Sequence, residues 1–226
     1  MKTNFELSKK DLDEKGIAYF ENIPNDIITF LKTGIKKTKE TKANNTLAGH
    51  IKEEYVYDNI PPFVSNYIIS SIFKNNSIKE YLETTEIFTQ NPPLILNRMW
   101  CNFMKKYEFN PIHTHSGIFS FIIFLQIPYD LNKEDRVFPS VNNHKLTSRL
   151  VFLVDDKYNR NTNLSLDVDK SFENTMLIFP AKTPHLVYPF YTSKNERITV
   201  SGNIHFFNGF SDQDKRKKNN IIEKHI

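Results

Sequence analysis

The sequence predicts a mainly β protein with helices, in which a β-sandwich or jelly roll carries a helical layer at its N-terminal end. Three observations lead to this prediction. Apolar residues recur at helical spacing before residue 92, the apolar period changes to two after Pro92-Pro93, and turn-rich spacers separate several short strands beyond that point. A helical layer followed by a run of short strands is typical of sheets that pack face to face with helices on one side.

The helical layer is predicted over residues 1–92, packed on the β core. Its first helix begins near Asn25, which can cap the helix, and an acidic residue follows in the first turn. A second helix is predicted over 63–73, opened by a Pro-Pro pair, and a third over 77–88. In the first two segments, apolar residues recur every three or four positions, so one face of each is expected to be buried.

The β core is predicted over residues 93–210 and is followed by a polar C-terminal tail over 211–226. Side chains alternate between two faces in its first strand, one face buried and the other of mixed polarity. The predicted strands cover residues 94–104, 120–127, 150–154, 175–179 and 196–207.

Composition excludes several classes of protein. The 226 residues contain a single cysteine, Cys101, so neither an intrachain disulfide framework nor a cysteine-based zinc ribbon is available. The longest apolar stretch, 118–127, has about half the length that a bilayer requires. No secretory signal is evident at the N-terminus, so we expect a cytoplasmic protein, in the host cytoplasm if a phage encodes it, with no membrane partner.

The net charge of +4 is small, and two lysine-rich runs at 36–39 and 215–218 hold much of the excess. Aromatic residues do not interleave with these runs in the way typical of single-strand binders. We therefore expect solvated surface there and no nucleic-acid partner. The sequence does not predict an oligomeric state.

Three histidines fall in a pattern that suits a metal site. His113 and His115 precede the most apolar strand, and a His-x-His pair on extended backbone points both rings to one face, about 6.5 to 7 Å apart at Cα. Later, a strand that ends in Phe179-Pro180 leads through a turn to His185. Because strands distant in sequence can lie opposite each other in a sandwich, the three imidazoles can converge on one metal ion.

The last strong strand has a polar face of Arg197, Thr199, Ser201 and Asn203 that alternates with aliphatic residues. His205 falls on the same face by parity. If this face is outside, the strand is an ordinary surface strand. If it lines the sandwich, a buried Arg197 requires an anion, and the guanidinium fork suits a carboxylate.

Taken in order, these motifs resemble the iron(II)- and 2-oxoglutarate-dependent oxygenase superfamily. More narrowly, they are similar to the small 2-oxoglutarate oxygenases of marine bacteriophages and bacteria. The resemblance covers roughly residues 94–207, and residues 47–55 are also similar to those proteins. The motifs that carry it are Trp100-x-Asn102, Asn110-Pro111-x-His113-x-His115, the apolar strand from Ser120, Phe179-Pro180-x4-His185 and Arg197-x-Thr199-x-Ser201-x-Asn203.

The resemblance implies a double-stranded β-helix, which is a jelly roll of cupin-like form. It also implies an enzyme that uses Fe(II), 2-oxoglutarate and O2 to hydroxylate an unidentified small molecule or peptide, with release of succinate and CO2. By the resemblance, Arg197 would hold the far carboxylate of 2-oxoglutarate with help from Thr199. Asn102 and Ser120 are further expected cofactor contacts. The expected catalytic metal ligands are His113, His115 and His185.

The sequence departs from the superfamily pattern at His115, where the family has Asp or Glu. Three interpretations remain open: three neutral histidine ligands, His113 and His185 with water in place of the carboxylate, or His115 as the ligand with His113 behind it. Each leaves a position open for oxygen. Two other functions also remain: a cupin-type three-histidine enzyme that does not use 2-oxoglutarate, and a non-enzymatic β-sandwich phage structural or binding protein.

Overall fold

Two antiparallel β-sheets face each other, and helices cover the outer face of the larger one. The computed structural model describes residues 12, 17–38, 41–85, 93–138, 145–155, 161–207 and 221–222. The strands in chain order are β1 Tyr19–Asn22, β2 Glu54–Val56, β3 Leu94–Met104, β4 Asn110–His113, β5 Phe119–Gln126, β6 Leu150–Asp155, β7 Asn161–Leu166, β8 Thr175–Pro180, β9 His185–Val187, β10 Arg197–Phe206 and β11 Ile221–Ile222.

The large sheet has the order β1-β8-β5-β10-β3-β11, and β2 also pairs with β3. The small sheet has the order β4-β9-β6-β7. Apart from the consecutive pair β6-β7, most neighbours in the two sheets are distant in sequence, which is the arrangement of a jelly roll rather than of a meander. The mainly β fold predicted from the sequence is confirmed.

The helices are α1 Asn25–Thr38, α2 Pro62–Ile72, α3 Asn76–Thr84 and the short α4 Leu131–Glu134. Short 3-10 turns lie at Asn44–Thr46 and Lys170–Phe172. The three predicted helices are confirmed with small shifts of their ends, although residues 86–88 of the third lie outside the described residues. In the described part of the chain, no helix combines the length and the apolar character that crossing a membrane would require.

The first 92 residues also contain two strands, which the sequence analysis did not predict for the helical layer. β1 pairs with β8, and β2 pairs with β3, so the N-terminal half contributes strands to the large sheet. Both strands are too short for a period-two pattern to be recognised, and their partners lie far along the chain. Of the predicted tail 211–226, only β11 is described, and it pairs with β3.

Residues of β5 alternate between two cores. Phe121 and Ile123 face the helices, where they join a cluster that includes Leu31 of α1. Phe124 faces the small sheet and joins a second cluster that includes Phe152 of β6. Because both faces of β5 are buried, a register slip by one residue would exchange the two faces, and burial therefore fixes the register firmly.

The polar face of β3 is set by a bulge. Asn203 of β10 pairs with Arg98, and the next residue, Ile204, pairs with Leu96, so Asn97 is the extra residue. Leu96 and Met99 are three positions apart and would lie on opposite faces of a regular strand. Because of the extra residue Asn97, both face the helices. The prediction of strict alternation along β3 is therefore wrong at this point, because a bulge inserts one residue and shifts the parity.

Candidate metal centre

His113 and His185 are brought together by the pairing of β4 with β9, in which they are direct register partners. His115 follows β4, and its backbone N–H donates a hydrogen bond of 2.8 Å to the carbonyl oxygen of Ala181. This bond ties the segment after β4 to the turn before His185. The sequence-predicted convergence of three histidines is what the structure contains.

Gly117 allows the chain to turn from His115 into β5. Its φ of +90° lies in a region that side chains disfavour, and a Cβ atom there would lie 2.4 Å from the carbonyl oxygen of Ile204. The next N–H, that of Ile118, donates to the same carbonyl oxygen at 2.8 Å. A glycine is therefore needed at 117 for His115 to face the sandwich interior.

The potential ligand atoms of the three histidines all lie within 4.8 Å of one another. The Nε2 atoms of His115 and His185 are 3.2 Å apart. The described residues contribute no carboxylate to this group. The spacing suits three imidazole nitrogens around a single transition-metal ion.

Backbone carbonyls fix the tautomers of two of the rings. His113 Nδ1 lies 2.7 Å from the Pro111 carbonyl oxygen, and His185 Nδ1 lies 3.0 Å from that of Thr183. A carbonyl only accepts, so in both rings Nδ1 carries the hydrogen and Nε2 keeps its lone pair. This is the arrangement by which proteins orient metal-ligating histidines.

Burial keeps the three imidazoles neutral. It lowers the pKa of His113, an effect that exceeds the opposing influence of the Pro111 carbonyl. Burial, followed by the nearby rings of His185 and His113, lowers the pKa of His115 to about 3. For His185, burial and then His113 lower the pKa to about 4. Neutral imidazoles are the form that binds metal, so the site needs no deprotonation near pH 7.

Aromatic side chains account for this burial. Phe179 lies 4.9 Å from the His185 ring and Phe152 lies 5.7 Å from it, measured between ring centroids. Trp100 lies 5.8 Å from His115 by the same measure. These rings form an apolar wall behind the histidines, which limits water access from that side.

The histidines open into a cavity of about 490 Å³ between the two sheets. Its size is typical of a small-molecule site. The polar face of β10 lines it, so the interior alternative for that face is confirmed. The main polar and charged lining residues are Glu54, Asn97, Arg98, Asn102, Asn110, Arg197, Thr199, Ser201, Asn203 and His205.

Arg197 is only 3% exposed and lines this cavity. Its Nη1 donates one long hydrogen bond of 3.4 Å to the Ser148 carbonyl oxygen, and its guanidinium carbon lies 5.8 Å from the Phe124 ring centroid. Within the described ranges, no Asp or Glu forms an ion pair with it. A buried guanidinium in this state calls for an anionic ligand, because an unpaired buried charge is costly.

Of the other predicted cofactor contacts, Asn102 and Thr199 both line the cavity, and the Asn102 amide donates to the Thr199 hydroxyl at 3.3 Å. Ser120 does not line the cavity. Its hydroxyl donates to the Gly202 carbonyl oxygen at 3.1 Å and to Asn203 Oδ1 at 3.3 Å. Ser120 thus supports a lining residue, and its direct contact with a cofactor stays a prediction.

Sequence reasoning missed four polar residues that line the cavity: Glu54, Asn97, Arg98 and Asn110. It also missed Ser148, whose carbonyl oxygen accepts a hydrogen bond from Arg197. Glu54 lies on the unrecognised strand β2. Ser148 adopts a left-handed φ of +65°, which cannot be predicted from the sequence around it. His205, which parity places on the same face as Arg197, lines the cavity.

Comparison of the sequence with protein-family models gives a match. Residues 98–203 match a protein-family model described as "Putative 2OG-Fe(II) oxygenase". No curated protein sequence matches the chain. The matched range contains every predicted site residue, from Asn102 to Thr199.

Solved structures with similar folds include a prolyl-4-hydroxylase from Pseudomonas putida. It is 12% identical, the alignment covers 88% of this chain and 97% of that one, and the TM-score is 0.53, a likeness of fold alone. An oxidoreductase of the 2OG-Fe(II) oxygenase family from Burkholderia pseudomallei is 15% identical over 89% of each chain, with a TM-score of 0.46.

Proposed function

We propose that this chain, whose residues 98–203 match the family model described as "Putative 2OG-Fe(II) oxygenase", is an oxidoreductase that hydroxylates its substrate with Fe(II), 2-oxoglutarate and O2. One observation carries the proposal. Three neutral imidazoles and a buried guanidinium without an acidic partner line the same cavity. The first group suits a metal ion and the second suits a carboxylate, so together they suit a metal chelator that ends in a carboxylate.

The residues present fit these groups. His113, His115 and His185 would hold Fe(II) through ring nitrogens, and in His113 and His185 the Nε2 atoms already carry no hydrogen. Arg197 would hold the far carboxylate of 2-oxoglutarate, and the Thr199 hydroxyl lines the cavity on the same strand face. When bound, Fe(II) and 2-oxoglutarate supply the oxidation of a substrate C–H bond by O2, with loss of CO2 and succinate.

The protein contributes position and a controlled electrostatic environment. Carbonyls of Pro111 and Thr183 hold the rings of His113 and His185 in one orientation, so little reorganisation is needed on metal binding. The wall of Trp100 and Phe179 keeps bulk water from one side of the rings. In such a low-dielectric site, the attraction between Arg197 and a carboxylate is stronger than in water.

Three neutral ligands change the charge of the site relative to a set of two histidines and one carboxylate. With a divalent metal and the dianion of 2-oxoglutarate, the charges cancel, whereas a carboxylate ligand would leave one negative charge. A neutral ligand set therefore holds the metal less strongly by electrostatics and relies more on ring orientation. His113, His115 and His185 as a complete three-histidine set is the interpretation we propose.

Turnover of 2-oxoglutarate tests the proposal. Purified protein with Fe(II), ascorbate and O2 is expected to convert 2-oxoglutarate to succinate, and a panel of candidate substrates should increase the rate. The Arg197→Ala and His185→Ala variants should lose this activity, whereas His50→Ala, on the exposed bridge to Phe109, should keep it. Absence of both binding and conversion across the panel would overturn the proposal.

A cupin-type three-histidine enzyme that does not use 2-oxoglutarate is the second candidate, favoured by the absence of a carboxylate among the described donors of the histidine cluster. It keeps the metal but gives Arg197 no part in the reaction. Under this alternative, Arg197→Ala would leave activity intact. The same variant therefore separates the two candidates.

A further inference from the structure

The cavity holds a carboxylate that the proposed function does not use. Glu54 is 1% exposed and lines the cavity from β2, directly opposite Asn102 of β3 in the strand register. It does not belong to the histidine cluster. A glutamate this deeply buried ordinarily has a cation or several hydrogen-bond donors as partners.

Few protein groups offset the cost of burying the Glu54 carboxylate. The Asn44 amide donates a hydrogen bond to Glu54 Oε2 at 3.4 Å, which is long. In the ranges that the structure describes, no lysine or arginine forms an ion pair with it. Arg98 lines the same cavity, but its Nη2 donates to the Thr46 hydroxyl at 2.7 Å.

A second acceptor lies beside Glu54. Asn110 Oδ1 is buried and lacks a donor among the described residues. Asn110 Oδ1 and Glu54 Oε1 lie 2.4 Å and 2.8 Å, respectively, from the point where a Cβ atom on Gly49 would stand. The two oxygens therefore converge on one location, and Gly49 lets the backbone approach them closely.

A third acceptor reinforces the pattern. Asn102 is 6% exposed, lines the cavity, and its Oδ1 also lacks a donor in the described part of the chain. Oxygens of Glu54, Asn102 and Asn110 thus line the cavity with unused acceptor capacity. Buried acceptors without a partner are rare in native proteins, and the partner is supplied by water, an ion or a bound ligand.

The protonation equilibrium of Glu54 is consistent with a missing cation. Burial, followed by the negative charge of Glu108, raises the pKa of Glu54 to about 7. A cation bound beside the carboxylate would favour its charged form and lower that pKa.

We propose that Glu54 and Asn110 form the subsite that recognises the substrate, and that the substrate presents an ammonium or guanidinium group to them. This inference rests on the proposed function, because it assigns the substrate class for the same cavity. The cation would bring several N–H donors to acceptors that now lack them, and its charge would pair with Glu54. A cavity of about 490 Å³ leaves room for a small basic compound or side chain beside 2-oxoglutarate.

Calorimetric titration of the protein loaded with Mn(II) and 2-oxoglutarate tests the inference. The cationic probes are L-lysine and L-arginine, both free and as their Nα-acetyl amides, so that a free amino acid is distinguished from a residue in a peptide. The neutral probes are L-norleucine and L-citrulline. Glu54→Gln removes the charge with little change of shape, and Glu83→Gln, on the exposed face of α3, is the matched control.

At least one cationic probe is expected to bind the wild type tenfold or more tightly than its neutral counterpart. Glu54→Gln should remove that preference, and Glu83→Gln should keep it. Equal binding of charged and neutral probes, no binding of any cationic probe, or an unchanged preference in Glu54→Gln would overturn the inference. The wild-type comparison of charged with neutral probes stands even if Glu54→Gln fails to fold.

The loading step separates this inference from the proposed function. If 2-oxoglutarate binds the Mn(II) form but no cationic probe follows, the substrate class is wrong and the proposed function stands. If cationic probes bind while 2-oxoglutarate does not, the proposed function fails and the cation subsite stands.

Discussion

His113 and His185 lie directly opposite each other across the pair formed by β4 and β9, and each presents Nδ1 to a backbone carbonyl two residues earlier in the chain. Neighbouring strands therefore deliver two rings with the same tautomer, in which Nε2 carries no hydrogen. Strand pairing sets the separation of the two rings, and the carbonyls of Pro111 and Thr183 set their orientation. The arrangement that we propose for metal binding is thus set by strand pairing and by backbone hydrogen bonds of the protein itself.

Replacing His185 by alanine should abolish stabilisation by metal. At a Mn(II) concentration of 100 times Kd, the wild type should gain about 2.7 kcal/mol in the free energy of unfolding, because only the native state holds the ion. His185→Ala should gain close to nothing, and the exposed His50→Ala should gain as much as the wild type. Thermal melts with and without Mn(II) measure this. An equal gain in all three proteins would remove His185 from the metal site.

Variants at His113 and His115 distinguish the three interpretations of the ligand set. If all three histidines bind, His113→Ala and His115→Ala should each weaken Mn(II) binding, by about 10-fold or more on the scale of other changes around metal sites. His115→Asp should restore part of the loss, since a carboxylate adds charge attraction to the divalent ion. Mn(II) titration monitored by calorimetry checks this.

An unchanged affinity in one alanine variant would contradict the three-histidine set. If His115→Ala alone binds as the wild type does, His113 and His185 bind with water in the third position. If His113→Ala alone does so, His115 is the ligand and His113 stands behind it.

Much of the β core could be predicted from the sequence because its signals are local. The period-two pattern gave β3 its observed bounds, and His113-x-His115 before an apolar strand indicated a shared face. The alternation of polar and aliphatic residues along β10 could also be predicted, but whether Arg197 faces solvent or the interior depends on packing. The resemblance favoured the interior, and the structure confirms it.

The remainder depends on contacts between distant parts of the chain. Glu54 reaches the cavity because β2 pairs with β3. A strand of three residues is too short for this pairing to be predicted from the sequence. The bulge at Asn97 shifts the parity of β3 through its pairing with β10. Ser148 turns its carbonyl to Arg197 through a left-handed conformation that a sequence pattern does not reveal.

Replacing Arg197 by methionine should weaken the binding of 2-oxoglutarate to the Mn(II) form by about 100-fold or more, on the scale of removing one partner of a buried charge pair. The melting temperature of the ligand-free protein should not fall, because the substitution removes a buried charge that lacks an acidic partner. Calorimetry and thermal melts measure the two effects. Arg136→Met, at an exposed position, is the control for the loss of one positive charge.

An unchanged affinity for 2-oxoglutarate in Arg197→Met would rule out the assigned role of the guanidinium. A large fall in ligand-free stability would indicate that Arg197 has a structural partner.

The raised pKa of Glu54 predicts a pH-dependent difference in stability. Its folded-state pKa is about 7, above the usual value of 4.5, so between these values the folded protein binds more protons than the unfolded chain. The free energy of unfolding should therefore fall as pH rises through this window. Glu54→Gln lacks this loss, and relative to the wild type it should gain about 1 to 3 kcal/mol between pH 4 and pH 8.

Urea unfolding of both proteins at pH 4 and pH 8, without added ligand, measures this gain. Glu83→Gln, on the exposed face of α3, should show no comparable change. A stability difference between Glu54→Gln and the wild type that is the same at both pH values would show that the Glu54 carboxyl titrates as it does in the unfolded chain.

The most direct test of the central claim is a thermal melt of metal-stripped protein with Mn(II), with 2-oxoglutarate, and with both, run beside Arg197→Ala. Mn(II) occupies an Fe(II) site without turnover. If the histidine cluster and Arg197 hold the two ends of one chelate, the pair should stabilise the wild type by more than the sum of the separate effects, and Arg197→Ala should lose the increment from 2-oxoglutarate. Additive effects in the wild type, or an undiminished increment in Arg197→Ala, would contradict the account.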